Sequence, residues 1–301
     1  MKINTLKTST KKKLTGIAFV LPCVIILVLM MAYPLIQTFA FSFTDIKLPN
    51  FELKFIGLKN FVTAFSKPEV SIVIRNTIIW TVFSVFVRLV LGLVSALIMN
   101  SNVKGIVTLR VIALLPWTVP LIVSSNTWRW ILQSENGVIN GTLRAMGLGG
   151  WAHTWLANAS TALPSIMVAN TWVGFPFVMM MLLSAMQGLS RDLYEAAEID
   201  GANGFHLFRY ITLPGIKPVI LVVLALETIS AINSFDMIFV MTGGGPGGAT
   251  EIFGLFIYRL AFTNFDFGSA SAVSVVLITI AVLGFSMYGF AQTGNRKRGE
   301  A

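Results

Sequence analysis

Two charged residues of this chain sit where charge is costly. Arg88 lies near the middle of the apolar run 72–99, and Glu227 near the middle of the run 216–241. An ionisable side chain at mid-bilayer depth costs about 2.5–3.5 kcal/mol on insertion scales, so such a residue is a functional candidate by default. For Arg88 the structural readings are an ion pair, with Glu227 or with another chain, and a snorkelling side chain on a shifted helix. Glu227 is the better site candidate. With Ala231 and Ser234 it falls at i, i+4 and i+7, one face of a helix. Asn233 and Asp236 follow on neighbouring faces. Carboxylate, amide and hydroxyl groups brought together in this way accept and donate hydrogen bonds.

A second constellation is polar and lies outside the apolar runs. Asp192 to Ile199 is rich in helix formers, with Asp192 and Glu195 in or near the first turn, where carboxylates suit the helix dipole. Gly201 ends that helix. The spacing predicts a second short helix over 203–210, with Phe205, Leu207, Phe208 and Ile211 packing back on the first. Pro214 and Pro218 then fix the entry into the next apolar run. A short helix, a sharp turn and another short helix make a knob that either docks in a groove of a soluble partner or idles in solvent.

Catalytic clusters are missing. No G-x-x-x-x-G-K-[ST] phosphate cradle, H-E-x-x-H or G-x-S-x-G pattern occurs. Gly243, Gly245 and Gly248 nominally satisfy G-x-G-x-x-G. They follow an apolar run rather than a strand and enclose Pro246, which reads as a tight turn. The lone Cys23 permits no intrachain disulfide, and His153 and His206 are too far apart in sequence to support a zinc site.

The elements that must carry these residues are apolar helices. Hydrophobic residues make up 55% of the 301 positions and charged residues 12%, about half the charged content of a soluble domain. Six segments are long enough to cross a bilayer, at about 14–42, 72–99, 106–131, 162–188, 216–241 and 267–291, given that a crossing takes roughly 20 residues. The third is interrupted by Pro116 and Pro120. The fold class is therefore all-α: a polytopic membrane bundle of six helices over 14–291, with basic tails at 1–13 and 292–301. With the N-terminus inside, the inner segments hold thirteen Lys and Arg residues and the outer ones seven. This places both termini and the polar loop in the cytoplasm. The net charge of +9 belongs to that bias rather than to nucleic-acid binding.

Tyr194-Glu195-Ala196-Ala197, Asp200-Gly201-Ala202, Phe208, Ile211-Thr212-Leu213-Pro214 and Lys217-Pro218 resemble, at fixed spacing, the EAA loop of ATP-binding-cassette importer permeases. Asn170-Thr171-Trp172 with Gly174-Phe175-Pro176, and Thr242-Gly243-Gly244-Gly245-Pro246, resemble the carbohydrate-uptake branch, so the likeness covers most of 72–291. The Gly-Gly-Pro segment is similar to that of the maltose F-type and glycerol-3-phosphate A-type permeases. Extra N-terminal spans of the larger F-type subunits are absent, and the first outside loop is short.

The resemblance implies a permease in the bacterial cytoplasmic membrane that is not itself an enzyme and binds no cofactor. It pairs with a second homologous permease. A dimer of cytoplasmic ATPase subunits binds ATP and magnesium, and an extracytoplasmic solute-binding protein delivers a sugar. Glu195, Ala196, Ala197, Asp200, Gly201, Ala202, Leu213 and Pro214 would couple to the ATPase. Glu227, Ser234, Gly174 and Phe177, followed by Asn233, Asp236 and Trp172, would meet the sugar, aromatic faces serving its C–H surfaces. The alternatives are a permease for another solute, such as glycerol phosphate or a polyol, and a membrane enzyme or scaffold that does not transport. Glu227 disfavours an anionic solute.

Overall fold

A computed structural model describes residues 3–47, 49, 53–101 and 103–299. Phe51, one of the aromatics of the first outside loop, and the chain ends Met1, Lys2, Glu300 and Ala301 lie outside the described residues. In chain order the elements are α1 (Ile3–Ser42), β1 (Thr44–Asp45), β2 (Lys54–Phe55), α2 (Lys59–Phe65), α3 (Val70–Met99), α4 (Ile106–Thr118), α5 (Leu121–Ile131), α6 (Val138–Ala145), α7 (Ala162–Gln187), α8 (Arg191–Ile199), α9 (Gly204–Leu207), α10 (Leu213–Ile232), α11 (Asp236–Met241), α12 (Phe253–Tyr258) and α13 (Phe267–Gly299). Of the expected basic tails, residues 3–13 are helical in backbone as the first turns of α1, and residues 292–299 as the last turns of α13.

The chain divides into two compact units. The first takes residues 1–67 with 259–283. In its long helix α1, none of the most apolar 18-residue stretch within 14–42 is buried, as suits a helix facing hydrocarbon all round. A two-stranded antiparallel ladder, Thr44 opposite Phe55 and Asp45 opposite Lys54, follows α1. The buried Asn60 amide of α2 donates to the carbonyls of Ser42 at 3.0 Å and Thr44 at 2.8 Å. Asp266 starts α13: its carboxylate accepts from the backbone N–H and the hydroxyl of Ser269 at 3.0 and 2.9 Å.

The second unit, 68–258 with 284–301, is organised on α7. In α7, 61% of the apolar window is buried, against 28% in α3 and 22% in the 204–232 span, so α7 is the central helix. Gly92 lets α3 approach it: a Cβ there would lie 2.5 Å from Val178 Cγ1. One apolar cluster gathers Trp80, Ile166, Met237 and Ile252, and another gathers Ala96, Val178, Leu182, Ile216 and Val223.

Among the described residues, five continuous helices are long and apolar enough to cross a membrane, at 14–42, 70–99, 162–187, 204–232 and 267–284. The sixth expected span is a bent pair, α4 and α5, meeting at 93°. Val119 precedes Pro120 and is driven to extended backbone, with φ −77° and ψ 131°. Two further expectations need correction. The fifth span does not run unbroken to residue 241: α10 stops at Ile232, and α11 restarts at Asp236. The short helix after Gly201 is not separate either. It passes through one π-turn, Phe208–Thr212, directly into α10. Pro214 lacks the N–H that would bond residue 210, and the wider turn absorbs the mismatch.

Candidate functional site

The charged residues of α3 and α10 meet. Arg88 donates through Nη1 to Glu227 Oε2 at 2.7 Å. Through Nη2 it donates to the backbone carbonyl of Asn170 at 2.8 Å and to Asn170 Oδ1 at 2.6 Å. The Asn170 amide in turn donates to Ser84 Oγ at 3.2 Å. Arg88 is 7% exposed and Glu227 5%, so this is a buried pair joining α3, α7 and α10 at one point. Of the structural readings of Arg88, pairing with Glu227 is the one present, and snorkelling is not. Removing one partner of such a pair costs about 3–5 kcal/mol, because the other charge is left buried and alone.

Gly174 makes the arrangement possible. It lies one turn after Asn170 on α7, and the guanidinium rests on its bare Cα. A Cβ would fall 2.2 Å from Arg88 Cζ and 2.3 Å from Nε. Arginine reaches a carbonyl inside a helix because the next turn offers no side chain on that face.

The pair forms part of the wall of a cavity of about 540 Å³. Of the residues expected at such a site, Gly174, Phe177, Glu227, Asn233, Ser234 and Asp236 line it. Trp172 does not. It precedes Gly174 by two residues, which is roughly 200° around a helix of 3.6 residues per turn. It is 40% exposed and stands edge-on to Trp128, with ring centroids 5.9 Å apart.

Sequence reading missed several lining residues: Asn170, Ser230, Trp117, Leu121 and Phe235. For two of them a signal was available. Asn170 sits at i−4 from Gly174 and Ser230 at i+3 from Glu227, on the predicted faces. Trp117 comes from the bent pair, with its ring 6.0 Å from that of Phe177, and no periodicity indicates that. The break after Ile232 brings the end of α10 to this cavity, where Asn233 N–H bonds back to the Ile229 carbonyl at 3.1 Å and Ser234 N–H to that of Ala231 at 3.2 Å. Residues 233–235 are in that break and line the wall.

The second constellation is built as a knob. Ser190 Oγ accepts from Asp192 N–H at 3.3 Å and caps α8. Gly201 adopts φ +84°, and the turn closes with Ala202 N–H bonded to the Ala197 carbonyl at 2.9 Å. Asn203 Oδ1 then accepts from His206 N–H at 3.0 Å and caps α9. The Tyr194 and Thr212 hydroxyls, 2.9 Å apart, tie α8 to the base of α10.

Glu195, Ala196, Asp200 and Gly201 are exposed, and Ala197 and Ala202 half-buried, on and beside α8. Leu213 and Pro214 lie elsewhere, in α10 beyond the π-turn. The expected packing of Phe205 on α8 does not occur. Phe205 is 70% exposed, with Leu193 at 55%, Ile199 at 86% and Tyr210 at 70%. α8 also borders a cavity of about 650 Å³, lined by residues that include Arg110, Arg191, Tyr194, Glu195 and Glu198. The Gly-rich segment is a turn as expected: Gly243, Gly244, Gly247 and Gly248 have positive φ, and the Asn76 amide donates to the carbonyls of Ala249 and Glu251 at 3.0 and 3.1 Å.

Residues 88–297 match the model of the binding-protein-dependent transport system inner membrane component family. The chain is 38% identical to the trehalose/maltose transport system permease protein MalF of Thermococcus litoralis, over 94% of this chain and 95% of that one. It is 32% identical to the sulfoquinovosyl glycerol transport system permease protein SmoG of Agrobacterium fabrum, over 92% and 89%. In structure it is similar to a chain of a bacterial ABC transporter involved in the import of the acidic polysaccharide alginate, with a TM-score of 0.82 and 25% identity, covering 94% of this chain and 98% of that one. A mid-bundle polar cavity and an exposed loop knob are thus found in a chain that belongs to the binding-protein-dependent transport system inner membrane component family, multi-pass and part of a transport machine.

Proposed function

We propose that this chain is a permease subunit of an ABC importer for a sugar or oligosaccharide, and that its 540 Å³ cavity holds the cargo midway through transport. The observation that carries the reading is the cavity wall. Two carboxylates, two amides, two serine hydroxyls and the rings of Trp117, Phe177 and Phe235 converge inside an otherwise apolar bundle. Hydroxyl-rich cargo needs polar partners for its O–H groups and aromatic faces for its C–H surfaces. The likeness to a trehalose/maltose permease and to a permease of a sulfoquinovosyl glycerol system supports a sugar over an unrelated solute.

The rest of the machine follows. A second, homologous permease supplies the other half of the pathway, and an extracytoplasmic binding protein delivers the cargo. Both termini and the knob face the cytoplasm, in accord with the excess of Lys and Arg on that side. ATP and magnesium bind to a separate ATPase dimer, and this chain carries no cofactor. The knob at 190–203 docks in a cleft of one ATPase subunit. The exposed Leu193, Ile199 and Phe205 supply apolar area for that contact, and Gly201 and Ala202 allow close backbone approach. Closure of the ATPase dimer on ATP then drives the knob, and through the unbroken 204–232 helix the motion reaches Glu227.

The test is reconstitution of the whole transporter in proteoliposomes with its binding protein. Uptake of maltose or trehalose that requires ATP and the binding protein is the expected result. Uptake of a polyol alone would move the assignment to the non-sugar reading, and absence of any ATP-dependent uptake would overturn the transport role. Within that assay, Glu227→Ala is expected to weaken uptake at limiting sugar while the subunits still assemble.

A further inference from the structure

We propose that Arg88 is a specificity-determining residue of the cavity. By holding one oxygen of Glu227 it fixes the other as an acceptor for a cargo hydroxyl, and the paired charges reject anionic sugars. The inference rests on the reading of the cavity as the cargo site.

Glu227 Oε2 is taken by Arg88 at 2.7 Å, while Oε1 accepts no hydrogen bond from the described residues. A carboxylate oxygen held from one side only has a defined direction in which to accept. Arg88 itself cannot swing toward cargo. Nη2 is held twice by Asn170, and the guanidinium is seated on Gly174. The charged groups lining the cavity are Arg88, Glu227 and Asp236. Among the described lining residues the one positive charge is already paired, so an incoming anion meets two carboxylates and no unpaired cation there. To bind, it must take Arg88 from Glu227 and leave that carboxylate buried without a partner, which is the arrangement buried charge tolerates least. A neutral polyhydroxyl molecule meets Glu227 Oε1, the Ser230 and Ser234 hydroxyls and the Asn233 amide oxygen, and disturbs nothing.

The experiment measures binding of radiolabelled maltose to the solubilised whole transporter, with competition by unlabelled maltose or by maltobionate, its carboxylate counterpart. In the wild type, maltobionate is expected to compete at least about a hundredfold less well than maltose, since like-charge juxtaposition costs several kcal/mol. Glu227→Gln leaves the guanidinium without its counter-charge beside the cavity. Maltose is expected to bind about tenfold more weakly, the scale of a lost charged hydrogen bond, while maltobionate begins to compete. The double variant R88Q/E227Q carries a neutral pair and guards against a folding failure of the single one. It is expected to bind maltose more weakly than the wild type and to lose most of the discrimination. Equal competition by maltobionate in the wild type overturns the proposal. So does wild-type discrimination in the double variant, or in Glu227→Gln where that variant assembles. If the wild type shows ATP-dependent sugar uptake but both variants bind maltose as it does, the cavity is not the cargo site, and the underlying reading fails instead.

Discussion

The cavity of α3, α7 and α10 and the knob built on α8 treat charge in opposite ways. In the cavity, Arg88 and Glu227 are buried, matched and held by three helices, so each group depends on its partners. On the knob, Glu195, Glu198 and Asp200 are exposed, and the shape is set by two short caps, one glycine at φ +84° and a single hydroxyl contact to α10. The cavity is specified by side-chain pairing, the knob by backbone. Substitutions in the cavity should therefore act through packing and cargo affinity, whereas those in the knob should act through coupling to ATP.

The sharpest way to break this contrast is Gly201→Asp. A side chain at this αL position adds roughly 1–2 kcal/mol of local strain and obstructs partner approach. Cargo-stimulated ATP hydrolysis and uptake, measured together in proteoliposomes, are expected to fall by more than about tenfold while cargo binding stays intact. If both persist at wild-type levels, the knob does not couple.

Next in size is Gly174→Ala, which places a Cβ against the guanidinium. Overpacking of this kind costs about 1–3 kcal/mol, so a lower melting temperature and about tenfold weaker cargo binding are expected. An unchanged melting temperature would mean that Arg88 has another place to go.

Tyr194→Phe removes the hydroxyl contact to Thr212 and nothing else of the knob, an interaction worth about 0.5–1.5 kcal/mol. The number of ATP molecules hydrolysed per sugar is expected to rise about two- to threefold, with assembly intact. The smallest effect belongs to Trp172→Phe. That ring faces Trp128 rather than the cavity, so cargo affinity should stay within about twofold, below the 1.4 kcal/mol that makes a factor of ten.

Sequence reading reached the two regions unequally, for physical reasons. The knob is local: Ser190, Gly201 and Asn203 act on neighbours within a few positions, so α8 was expected at 192–199 and is found at 191–199. The cavity joins residues 139 apart, such as Arg88 and Glu227, and helical periodicity says which face a residue occupies without saying what that face meets. Glu227 and Ala231 were therefore found on one face of α10, Ser234 reaches the cavity from the break beyond Ile232 rather than from that face, and Asn170 and Trp117 were not found at all. Prolines read correctly in one span and not in another. Pro120 breaks its span into a right-angled pair, yet Pro214 and Pro218 stay within a continuous helix because a π-turn accommodates the first.

The break between α10 and α11 also bears on how this cavity can change its cargo over evolutionary time. Gly254 lets α12 press against the break, since a Cβ there would lie 2.6 Å from the Ser234 carbonyl oxygen. The main chain at the gap is thus held by the fold, with the Ser234 carbonyl close against Gly254. The side chains of residues 230, 233 and 234 beside it are not. Exchanging them would retune which hydroxyl pattern is welcomed and leave the main chain of the break in place. One scaffold can then serve a succession of related cargoes with few substitutions, none of which needs to touch the helices that bear the load.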